Sequence, residues 1–182
     1  MERSEKIEKA KESAAQNFKQ GLNCGESVYL AVYDQLEDPA LPRESVAMVT
    51  GFGGGIGVYG SACGALLGGM AALGLAHGRK NPYYVAPISL IGAVEERVNT
   101  LYGNPGLYRF FNQLPNRFKE AYGHLDCSKL TEGYHDNWLC REHAKKCMKL
   151  IINTAGLTMD LLLEGKEKGY VQPYGENIGR HE

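Results

Sequence analysis

No two of the five cysteines in this 182-residue chain form a CxxC pair. That absence removes the usual spacings of zinc fingers and ribbons. The lack of CxxCH removes a covalently attached c-type haem. Charge of either sign is not in excess, with 20 basic residues against 21 acidic ones. No basic run interleaves with aromatics, so no nucleic-acid surface is expected. Strand-like alternation of apolar and polar residues is missing, as are internal repeats and a domain boundary. A secretory leader is missing too, because the first residues, MERSEKIEKAKESAAQ, are highly charged. The expectation is a cytoplasmic protein. In a reducing compartment, scattered cysteines are more often metal-binding or catalytic than structural disulfides.

What the chain does have is an uncharged stretch, Gly51 to Gly78, holding eleven of its 23 glycines. Gly51 to Gly60 is too glycine-rich for a regular element and reads as a loop with several positive-φ positions. Ser61 to His77 reads as a helix, with Ser61 as its cap and Gly78 as a left-handed stop. Gly60, Gly64, Gly68, Ala72 and Ala76 recur every four residues, so one face admits another backbone at close range. The stretch is long enough to cross a membrane, but glycine weakens a helix and no flanking anchors are present; a buried central helix is expected instead. Gly55-Ile56-Gly57-Val58-Tyr59-Gly60 matches GxGxxG. A dinucleotide site also needs flanking strands and an acid about 20 residues on, where Arg79 and Lys80 stand.

Around this stretch the apolar spacing predicts helices throughout. Residues 3 to 20 carry the stripe Ile7, Ala10, Ala14 and Phe18, ended by Gly21. Asn23 caps a helix from Cys24 to about Leu36, and a short helix runs from Pro42 to Val49. Tyr83 to Tyr102 reads as helix with Pro87 in its first turn or splitting it. A further helix follows Asn104-Pro105, kinked at Pro115 and ended by Gly123. Asp126 caps a short turn, and Asp136 caps a long helix from Asn137 to about Leu163. The fold class is all-α: a multihelical single domain, residues 1–164, around the buried Gly/Ala-rich helix. Residues 165–182 form a polar tail expected to be loose or to lie on a partner.

Cys24, Cys63 and Cys127 each fall at the start of a predicted helix, where free N–H groups and the helix dipole lower a thiol pKa and hold anions. A thiolate-bound iron–sulfur cluster is anionic, and N–H bonds to its sulfurs tune its potential. Cys63 on its own would be read as a small core residue. Cys140, His143 and Cys147 share one face of the last helix, a spacing open to metal. Arg141, Glu142, Lys145 and Lys146 surround them, so that face is expected to be half solvated and His143 is left out of the site. His77, His124 and His135 read as capping or surface residues, and Glu26 as ordinary dipole compensation.

The order Cys24, then Cys63-Gly64-Ala65-Leu66-Leu67-Gly68, then Cys127, then Cys147 resembles the C_GCAxxG_C_C family of redox-active proteins. Phe18-Lys19-Gln20-Gly21-Leu22-Asn23-Cys24 is similar to the family's first cysteine segment. Gly51-Phe52-Gly53-Gly54-Gly55 with Cys63 and Gly74-Leu75 is similar to its central one, and Cys127-Ser128-Lys129-Leu130 and Cys147-Met148-Lys149-Leu150 to the last two. Here the motif's Gly-Cys-Ala reads Ala62-Cys63-Gly64-Ala65, and Cys140 is extra. Members resemble the non-haem part of split-Soret cytochromes, which are helical dimers with an iron–sulfur centre. The resemblance implies a helical redox protein of anaerobic metabolism and a homodimer, with Cys24, Cys63, Cys127 and Cys147 as cluster or redox residues.

Two functions are therefore expected. In the first, these four cysteines hold a [2Fe–2S] or similar cluster and transfer electrons to a redox partner protein. In the alternative, a low-pKa pair, Cys63 with Cys24 or Cys127, cycles between dithiol and disulfide without metal.

Overall fold

The computed structural model describes residues 2–83 and 90–179. Every regular element among them is helical, as expected. Helix α1, Arg3–Lys19, buries Ala10 and Ala14 and packs against the last helix and α2. Gly21 leaves it at φ 96°. Helix α2, Cys24–Tyr33, starts at a capping box: Asn23 Oδ1 accepts from the amides of Gly25 and Glu26, and Glu26 Oε2 accepts from the Asn23 amide. Glu26 is thus spent on the helix start. The helix stops three residues short of Leu36, because Asp34 already adopts the terminal conformation.

The segment expected as a short helix is a 3-10 helix, Arg43–Phe52, which leads into the single turn α3, Gly53–Ile56. The expected left-handed loop is there, and it is unusually continuous. Gly54, Gly55, Ile56, Gly57 and Val58 all have φ between 61° and 73°. Helix α4, Gly64–His77, follows, but Ser61 does not cap it; Cys63 is the residue before its first turn. Gly78 closes it in extended backbone at φ −68°, not in the left-handed form.

After α4 come α5, Leu90–Tyr102, and α6, Leu107–Phe111. Tyr83, where α5 was expected to start, lies in a turn with its amide donating to Asn81 Oδ1; the effect of Pro87 lies outside the described residues. In place of the kink expected at Pro115, the helix breaks at Asn112. Pro115 stands in the first turn of α7, Gln113–Tyr122, where its missing N–H has no intrahelical partner to lose. Gly123 ends α7 in the left-handed region, as expected. The short α8, Cys127–Leu130, and a 3-10 turn, Glu132–Asn137, precede α9, Arg141–Lys168. The long helix begins four residues later than expected because residues 132–137 wind as 3-10 turns and Cys140 supplies the cap that Asp136 was expected to give. It also continues past Leu163.

Helix α4 is the axis of the packing, in contact with α2, α7 and α9. Its stripe of small residues works as the spacing predicts. A Cβ on Gly68 would overlap the Gly25 carbonyl of α2, and one on Gly64 would meet the Phe52 carbonyl. On the neighbouring face, a Cβ on Gly69 would overlap the Thr158 hydroxyl of α9. Around this axis Val28, Leu73, Phe110, Leu114, Phe118, Ile151 and Leu161 are fully buried. No described helix is long and apolar enough to cross a membrane. The GxGxxG match has no strand before or after it among the described residues, so it is not a dinucleotide loop.

The tail lies on its own chain. Asn112, Gln113 and Asn116 bond the main chain of Pro173, Gly175 and Glu176, and Tyr170 accepts from the Gly106 amide. These side-chain amides give the tail backbone the partners it would otherwise seek elsewhere.

A paired substitution tests the central packing. Gly68→Ala is expected to destabilise the fold by about 2 kcal/mol or more through overpacking against Gly25. Gly74→Ala, in the same helix with nothing near its Cβ position, is expected to stabilise it by about 0.5–1 kcal/mol. Urea unfolding followed by circular dichroism checks both signs.

Candidate functional site: four thiols on one cavity

Two of the cysteines are placed by a main-chain clamp. Residues 60–63 and 125–128 run antiparallel, with Ala62 opposite Asp126. The Cys63 amide donates to the Leu125 carbonyl at 2.8 Å, that of Cys127 to Ser61 at 2.7 Å, and that of Ser128 to Gly60 at 3.0 Å. The clamp fixes Ser61 through its main chain and puts the start of α4 beside the start of α8. Gly55 closes under it: a Cβ there would lie 2.7 Å from the Cys127 Cβ and 2.6 Å from the Ser61 oxygen. Cys24 is the first residue of α2, set by the Asn23 capping box. Cys147 is on the second turn of α9, buried.

These four side chains, from four separate elements, line a single cavity of about 10 Å³, walled by Ala65, Leu130, Thr131, Leu150 and Ile151. Cys140 is not among them. Its sulfur caps α9 by accepting from the His143 amide at 3.3 Å. His143, left out of the site on sequence grounds, does reach it. It is buried, and its Nδ1–H donates to the Trp138 carbonyl, which leaves Nε2 as an acceptor 3.2 Å from Cys147 Sγ. The Trp138 ring, 4.1 Å from the imidazole between centroids, and Tyr134 enclose it. The i, i+4 spacing of His143 and Cys147 was visible in the sequence. What was not visible is the turn that folds Trp138 over them and removes the water.

The thiols differ in acidity. The Cys24 thiol is lowered to about 7, first by a hydrogen bond from Cys147, against the opposing effect of burial, and further by the amides of Gly54 and of Cys24 itself. Cys147 is pushed well up, first by Cys24 beside it, then by burial and the neighbouring sulfur charges. Cys63 is pushed up to about 12 by burial, with Leu66 and Ala65 amides opposing. Burial also raises Cys127, and the Thr131 hydroxyl opposes it. Cys24 is thus the most acidic of the four thiols, and the other three are pushed upward. The expectation that helix starts lower all three of their thiols is met at Cys24 alone; at Cys63 and Cys127 desolvation outweighs the amides.

The backbone beside Cys24 is strained. Ile56 and Val58 are β-branched yet adopt φ 66° and 65°, at a cost of roughly 1–2 kcal/mol each. The strained turn directs the Gly54 amide at Cys24 and lays Gly55 against Cys127.

Four thiols from four elements have the donor chemistry of a thiolate-bound cluster. The cavity, about 10 Å³, is no larger than the space one water requires, ~10–15 Å³. Among the described residues no three His, Cys, Asp or Glu side chains are arranged to hold a metal ion.

Fold and site together define a protein that is all-α among the described residues, with four cysteines lining one small cavity. The family model described as "Putative redox-active protein (C_GCAxxG_C_C)" matches residues 22–161, and the chain belongs to that family. A protein of Archaeoglobus fulgidus, described as "Uncharacterized protein", is 26% identical over 162 residues, covering 89% of this chain and 99% of its own length. No solved structure matches.

Cys24 is expected to be alkylated by iodoacetamide at pH 7 ahead of the other four thiols, with a rate midpoint near the lowered value of about 7. Mass mapping across pH checks this. Cys147→Ala removes the donor and should move the midpoint upward. Because the folded value lies below the ordinary thiol value of 9, the thiolate's contribution to stability is complete above pH 9 and is lost as pH falls through 7.

Proposed function

We propose that this protein is a thiol–disulfide redox protein in which Cys24 and Cys147 cycle between dithiol and disulfide. The observation that carries the reading is that Cys24 and Cys147, from two different helices, line the same small cavity, with the Cys24 thiol lowered to about 7 beside Cys147 and His143 Nε2 3.2 Å from Cys147 Sγ. It replaces the pairing of Cys63 with Cys24 or Cys127, since Cys63 is too strongly protonated to attack. The chemistry balances with a disulfide-bearing partner as oxidant. Cys24 thiolate attacks one sulfur of the partner disulfide, and the other sulfur leaves as a thiolate. Cys147 gives its proton to His143 Nε2 and attacks Cys24 Sγ, expelling the second partner thiolate, which takes that proton. The partner gains two electrons and this chain keeps one disulfide.

Mild oxidation with diamide followed by peptide mapping is expected to yield one cross-link, Cys24 to Cys147, and none in Cys147→Ala. A Cys63–Cys127 link, or no link, would remove the reading. His143→Gln keeps the side chain's bulk but not its basicity. It is expected to slow the resolving step by about 100-fold, in the range for a lost general base, so that a mixed disulfide with dithionitrobenzoate accumulates on Cys24. Unchanged resolution would take His143 out of the mechanism.

A second reading, a [2Fe–2S] or similar cluster held by Cys24, Cys63, Cys127 and Cys147, is favoured by the number of thiols: a dithiol needs two, and four line the cavity. Such a group would supply one-electron chemistry. Anaerobic purification from a cluster-competent host decides between the two. Iron and acid-labile sulfide that are lost in both Cys63→Ala and Cys127→Ala would establish the cluster, and iron-free protein that still forms the Cys24–Cys147 link would establish the dithiol. Light scattering on the same material tests the homodimer that the family resemblance implies.

A further inference from the structure

A separate cavity of about 770 Å³ opens between α6, α7 and the C-terminal segment, within the ~300–1,000 Å³ of small-molecule sites. It contains none of the cysteines. Its outer wall is built, not draped. Asn112 Oδ1 accepts from the Gly175 amide at 2.9 Å while its Nδ2 donates to the Glu176 carbonyl at 3.0 Å. Asn116 accepts from the Glu176 amide at 2.8 Å and donates to the same carbonyl at 3.2 Å. Two side-chain amides therefore hold the tail as a neighbouring strand would, with the wall standing before any ligand arrives.

The lining specifies the ligand's chemistry. The Tyr102 and Tyr108 rings meet edge to face at 4.8 Å. With Phe111 and the Met70 thioether they present flat apolar and polarisable surface, which suits an aromatic ring. At the rim the two charges cancel, Lys119 Nζ lying 2.6 Å from Glu176 Oε2. The Tyr108 hydroxyl, on a residue 39% exposed, is a polar handle in this lining. We infer that the cavity binds a neutral, planar, largely apolar multi-ring molecule carrying one hydrogen-bonding group that pairs with Tyr108.

The test uses the full chain with its five methionines labelled at the methyl carbon, assigned by Met70→Leu. The probe is N-phenyl-1-naphthylamine, a neutral two-ring amine bearing one further phenyl ring; the comparison is the same molecule carrying an 8-sulfonate. The neutral probe is expected to bind saturably at one site and to shift the Met70 methyl alone. The sulfonate is expected to bind at least tenfold more weakly, as is the neutral probe to Tyr108→Ala with unchanged circular dichroism. No saturable binding, a shift confined to Met48 or Met148, or equal binding of the sulfonate overturns the inference. So does undiminished affinity in Tyr108→Ala. Should that variant not fold, the wild-type methyl shifts and the sulfonate comparison decide alone.

Discussion

The antiparallel clamp between residues 60–63 and 125–128 is the constraint on which the site depends. Three main-chain hydrogen bonds join segments more than sixty residues apart in the chain. Without them α4 and α8 would have no fixed relation, and Cys63 and Cys127 no reason to share a cavity. The clamp in turn depends on glycine. Gly55 fits beneath it because there is no Cβ to meet Ser61 and Cys127, and Gly68 lets α2 settle on α4 closely enough to bring Cys24 in from the other side. Close backbone approach thus does the work that a sheet does in other redox folds. It replaces directional strand pairing with steric permission.

Much of the fold was legible because its signals are local. The Asn23 cap, the stop at Gly123 and the four-residue recurrence of small side chains each state their own geometry. Where the reading slipped, a long-range interaction had overridden a local preference. Ser61 is a good cap in isolation, but its main chain is taken by Cys127, so α4 starts two residues later at Cys63. Asp136 likewise looked like the start of the last helix, but 3-10 turns carry the chain to Cys140, whose sulfur does the capping. Pro115 was read as a kink, but it stands in the first turn of α7, where proline is harmless.

The site was legible in its membership and not in its roles. Residue order and family resemblance pointed to the four cysteines that line the cavity. Which sulfur is ionised was not readable, because it depends on the balance of desolvation against a few hydrogen bonds. Cys24 has the Gly54 amide and the Cys147 proton directed at it and lies half-buried; Cys63 has helix amides as well, but burial dominates. His143 was set aside for the charged residues flanking it in sequence, although those point away from the interior while Trp138 covers the imidazole. Each of the three raised thiols is pushed up in part by the charge of neighbouring sulfurs, so the four titrate as a coupled group.

The reversed coil at Gly54–Val58 has a mechanical implication. Ile56 and Val58 are wound against the handedness that L-residues prefer, and the winding is held at one end by an amide's attraction to a sulfur anion. Ile56 and Val58 are 51% and 65% exposed, so the strain beside the cavity sits on an apolar patch that solvent reaches.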